Sequence, residues 1–93
     1  MKITKIRDTV RLATTRWIIF LRSTGWFEVY QNPTFQSSLG EVYVSDPGLV
    51  GSGMLTEDLE VEWEVAPPED IAKEVVRILT RPKVVEAWKG GGI

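Results

Sequence analysis

The side chains whose spacing invites chemistry are carboxylates. Glu57, Asp58, Glu60, Glu62 and Glu64 crowd one short stretch, and Glu69 and Asp70 follow closely. Clustered carboxylates serve general acid–base catalysis, and their oxygens hold hard cations such as Ca²⁺ and Mg²⁺. Here, however, the acids alternate with Leu59, Val61, Trp63 and Val65. That period-two pattern is a strand with one face on a core and one in water. Side chains two apart on a strand stand about 6.5–7 Å apart at the backbone, too open a row to chelate one ion unaided. The row reads as a solvated face, or as one that meets basic side chains on a neighbouring strand. A second reading is an acidic surface that imitates a nucleic-acid backbone and fills a partner's basic groove.

The missing residue types narrow the chemistry further. With no histidine the chain lacks the commonest general base and zinc ligand, and with no cysteine it lacks disulfides, thiolate metal sites and a thiol nucleophile. Tyr30 and Tyr43 fall on separate predicted strands, and nothing assembles a nucleophile, a base and an oxyanion stabiliser. Gly48, Gly51 and Gly53 resemble a phosphate loop only in composition. Their spacing fits neither the Walker nor the dinucleotide pattern, and an acidic strand follows instead of a helix. The stretch reads as a mobile connector. No catalytic, cofactor-binding or metal-ligating residue is assigned, and the expectation is a protein that is not an enzyme.

Recognition is the remaining class. Lys2, Lys5, Arg7, Arg11, Arg16 and Arg22 interleave with Trp17, Phe20, Trp26 and Phe27. Bases that displace counterions and aromatics that stack on nucleobases are what single-strand binding uses. These six bases are therefore candidate nucleic-acid contacts, although a pI near 5.1 and the lack of an RNP-type motif count against them. Four tryptophans in 93 residues point instead to protein interfaces, where exposed aromatics act as anchors. Trp63 belongs to the apolar strand face. Trp88, and whichever of Trp17 and Trp26 the core leaves out, are candidate interface residues with Glu60, Glu62 and Glu64.

Charge is segregated along the chain. Residues 1–22 hold six bases and one acid, residues 23–72 hold ten acids and no base, and residues 73–93 hold five bases and two acids. Such asymmetry signals an anionic partner, or a basic strand lying against an acidic one. The natural partner for the Glu60/Glu62/Glu64 row is the Lys2–Arg7 segment, of the same chain or of a neighbour.

Several elements must position these groups. Residues 2–7 read as a short strand. Residues 9–22 admit two readings: a helix capped by Asp8 and closed at Gly25, or a strand 16–22 that forms a hairpin with 26–30 across Ser23, Thr24 and Gly25. The β-branched Thr9, Val10, Thr14, Thr15, Ile18 and Ile19 favour the hairpin. Asn32 and Pro33 make a turn, 41–45 a strand, and Asp46, Pro47 and Gly48 another turn. Pro67 and Pro68 end the acidic strand, and Ile71, Ala72, Val75, Ile78 and Leu79 lie on one stripe of a helix over 68–81. Pro82 stops it, and 84–88 forms a last strand or a further turn of helix. Residues 90–93 read as a flexible glycine tail.

The expected fold is one α+β domain over 1–89: a mainly antiparallel sheet of four to five strands with a C-terminal amphipathic helix on one face. If 9–21 is helical, the order becomes a ferredoxin-like β-α-β-β-α-β sandwich. No apolar run approaches a membrane span and no signal-peptide core follows the basic N-terminus, so the expectation is cytoplasmic. Scarce Asn, Gln and Met beside abundant Glu and Arg lean toward a thermophilic source. The function expected first is a small homo-oligomeric assembly or protein-interaction domain. The alternative is a nucleic-acid binder using segment 2–27.

Overall fold

The computed structural model describes residues 1–32 and 48–90. Among them the chain forms β1 (Lys2–Ile6), β2 (Thr9–Ala13), β3 (Trp17–Arg22), β4 (Trp26–Gln31), β5 (Leu49–Leu55), β6 (Val61–Val65), α1 (Glu69–Leu79) and α2 (Pro82–Trp88). Each strand pairs antiparallel with the next, so order in space equals order in sequence. The fold is α+β with an antiparallel sheet, as expected, but with six strands and two helices. The strand expected at 41–45 and the turns at 33 and 46–47 lie outside the described residues.

Residues 9–22 form two strands, β2 and β3, joined by a turn at 14–16, which removes the ferredoxin-like alternative. β-branched residues win here because each β2 and β3 side chain meets a cross-strand neighbour: Leu12 lies opposite Ile19 and Val10 opposite Leu21. Thr14 ties the turn between them, its hydroxyl accepting from the Trp17 amide at 2.9 Å while its own amide donates to the Trp17 carbonyl. The β3–β4 hairpin turns at Ser23, Thr24 and Gly25 as the sequence suggests. Gly25 has φ +99°, and a Cβ there would sit 2.4 Å from the Leu55 carbonyl oxygen, so both conformation and space demand glycine.

The glycine-rich stretch is not a mobile connector. It is β5, and Gly51, Ser52 and Gly53 are buried. Gly53 lies between Phe27 on β4 and Trp63 on β6. The Phe27 and Trp63 rings meet edge-on, their centroids 5.3 Å apart at 82°, and the Trp63 ring reaches Gly51, where a Cβ would lie 3.2 Å from its Cζ3. Glycine at 51 leaves the Trp63 ring its place, and glycine at 53 lets the β6 backbone approach closely.

β6 begins later than its sequence pattern, at Val61, because Leu59 takes φ 66° in the preceding turn. Val61 and Trp63 pack on the core as expected, but Val65 does not and is 44% exposed. The pairing shifts between Ser52 and Gly53, setting Ser52 against Val65 and Gly53 against Trp63. The extra residue turns Val65 off the core face. α1 follows, with Glu69 and Asp70 at its positive end and Val75, Ile78 and Leu79 buried. Pro82 both stops α1 and opens α2, filling the first-turn position where its missing N–H costs nothing. Residues 84–88 are therefore helical, and no parallel crossover forms. The helices cover one face of the sheet, with Val10, Leu12, Trp17, Ile19, Leu21, Phe27, Val29 and Leu55 beneath them.

Candidate functional site

The meander places the two oppositely charged strands at opposite ends of the sheet. β1 carries Lys2 and Lys5, with Arg7 in the turn that follows; β6 carries Glu62 and Glu64, with Glu60 just before it. Five interstrand steps of about 4.8 Å separate them, about 24 Å across the sheet. Their expected pairing is therefore not made within one chain. The ion pairs among the described residues lie elsewhere, between Arg16 and Glu74 at 3.7 Å and between Lys73 and Glu69 at 3.8 Å.

Both edges also expose apolar surface. The large hydrophobic side chains left exposed among the described residues are Met1, Ile6, Leu49 and Val65. Met1 and Ile6 flank or end β1, and Val65 ends β6. Each edge thus combines main-chain groups left unpaired among the described residues, one sign of charge and an apolar residue.

The proposed nucleic-acid contacts are dispersed. Lys2 and Arg22 are exposed and Arg11 half-buried on the sheet face that the helices leave uncovered. Lys5 points to the helix side, where its ammonium donates to the Ala87 carbonyl at 3.0 Å. Arg16 lies 5.1 Å from the ring centre of Trp17 and beside Glu74. Trp17 itself is 5% exposed in the core, and its buried indole N–H has no partner among the described residues. Trp26 is the one the core leaves out. It shares the uncovered face with Phe20 and Tyr30, whose rings meet edge-on at 6.0 Å. Glu28 stands among them, accepting from Tyr30 Oη at 3.1 Å and from the Trp26 indole at 3.4 Å. A carboxylate at the centre of a stacking surface repels phosphate.

Trp88 is half-buried, and its indole donates to the Arg22 carbonyl at 2.9 Å. It walls an open groove of about 840 Å³ with Thr24, Leu55, Glu57, Glu62 and Lys89. The acidic row forms no cation site: no three metal-ligating side chains come together among the described residues. No helix there is long and apolar enough to cross a membrane. What sequence reasoning missed is the topology, because which strands become edges depends on pairing order and not on any local pattern. No protein-family model, curated protein or solved structure matches this chain, so the reading of its function rests on this geometry.

Proposed function

We propose that the protein is a small non-enzymatic assembly domain that associates with copies of itself. The observation that carries this is the opposite charge of its two free sheet edges. Unpaired edge strands are templates for strand addition, and proteins that must stay monomeric blunt them with charge. Here Lys2, Lys5 and Arg7 repel a second basic edge, and Glu60, Glu62 and Glu64 repel a second acidic one. Neither repels the other, so the charge blocks like pairing and favours unlike pairing. Exposed Ile6 and Val65 add apolar area to the same edges.

The test is solution mass by light scattering over a range of protein and salt concentrations. The proposal expects a mass above 10.5 kDa that falls toward it as salt rises. A monomer at every concentration would reject it. The second reading, nucleic-acid binding, is favoured by Arg11 lying opposite Phe20 on the uncovered face. It predicts single-strand affinity that falls with salt and with Arg11→Ala.

A further inference from the structure

Resting on that reading, we infer that copies join head to tail: β6 of one pairs antiparallel with β1 of the next, in the register that sets Lys2 opposite Glu64 and Thr4 opposite Glu62. A meander of six strands runs β1 and β6 in opposite directions. A second copy added in the same orientation therefore meets β6 with an antiparallel strand, and the helix-covered faces stay on one side.

Main-chain directions limit the register to steps of two residues, and the overlap of the two strands that also brings Lys2 to Glu64 selects among them. The Ser23 amide donates to the Asp8 carbonyl, which fixes the alternation along β2 and turns the groups of Thr9, Arg11 and Ala13 toward β1. Their partners Ile6, Thr4 and Lys2 are thereby used, which leaves Ile3 and Lys5 with outward N–H and C=O. On the other edge the Thr56 amide donates to the Glu60 carbonyl and Leu55 donates to Gly25. Met54 and Glu62 are then a hydrogen-bonded pair, and Val61 and Trp63 point outward. Setting Lys5 opposite Val61 and Ile3 opposite Trp63 joins outward groups to outward groups. The same register keeps Thr4 and Glu62 on the uncovered face and Ile3 and Trp63 on the helix side. A shift by one residue would break both matches at once.

Because the two edges differ, the contact is heterologous, and repetition gives a ring or an open chain of copies. Pairing β1 with β1 would gather the bases of two copies along one seam, and pairing β6 with β6 would do the same to the glutamates.

The experiment uses two full-length variants, Lys2→Glu with Thr4→Glu and Glu62→Lys with Glu64→Lys, studied by sedimentation alone and mixed. Like charges directly opposite weaken strand pairing, so each variant alone should show a dissociation constant raised about tenfold. An equimolar mixture should recover wild-type association, because each intact edge then meets the other variant's intact edge and each charge-swapped edge meets the other's swapped edge. A mixture as weak as its components, or variants as strong as wild type, overturns this geometry while self-association stands. A wild-type protein that remains monomeric overturns both.

Discussion

Single residues decide how tightly this sheet closes on its helices. Gly53 lets the β6 backbone approach β5, and a Cβ there would lie 2.3 Å from the Glu62 carbonyl oxygen and 3.0 Å from the Trp63 Cα. Both are backbone atoms, which cannot swing aside. Gly53→Ala should therefore destabilise the protein by about 1–3 kcal/mol, the cost of overpacking a filled site, read from the urea midpoint. Arg16 is the opposite case. Its ion pair with Glu74 spans 3.7 Å between side chains 54% and 37% exposed, so solvent screens most of it. Arg16→Ala should cost no more than about 1 kcal/mol in the same measurement. It should leave self-association unchanged, since Arg16 lies in the β2–β3 turn, away from both edges.

At the scale of elements, the helices hold the sheet flat side down through a few buried side chains. Leu79 is fully buried at the end of α1, and Leu79→Ala should lower stability by about 2–5 kcal/mol, measured by thermal or urea unfolding. α1, β6 and the β3–β4 hairpin could be read from the sequence because alternation, a helical stripe and turn residues state them locally. β5 could not. Its Gly51 and Gly53 have no side chains to carry a period; Gly51 makes room for the Trp63 ring and Gly53 for the β6 backbone. Val65 looked like core because the pattern is regular, whereas the bulge that turns it outward depends on how β5 pairs. Pro82 was legible as a stop for α1 but serves equally as the first residue of α2. For the candidate surface, the sequence held the charges and lacked the pairing order that sends them to opposite edges.

At the scale of the whole molecule, a six-strand meander with one acidic and one basic edge has the complementarity to extend itself. In the proposed assembly, association runs through those unlike edges. Sedimentation of the wild-type protein across protein and salt concentration tests it most directly. Species heavier than 10.5 kDa should form and dissociate as salt rises, and changing Glu62 and Glu64 both to Lys should weaken their formation about tenfold. A single 10.5 kDa species under every condition, or an assembly indifferent to salt and to that substitution, would contradict it.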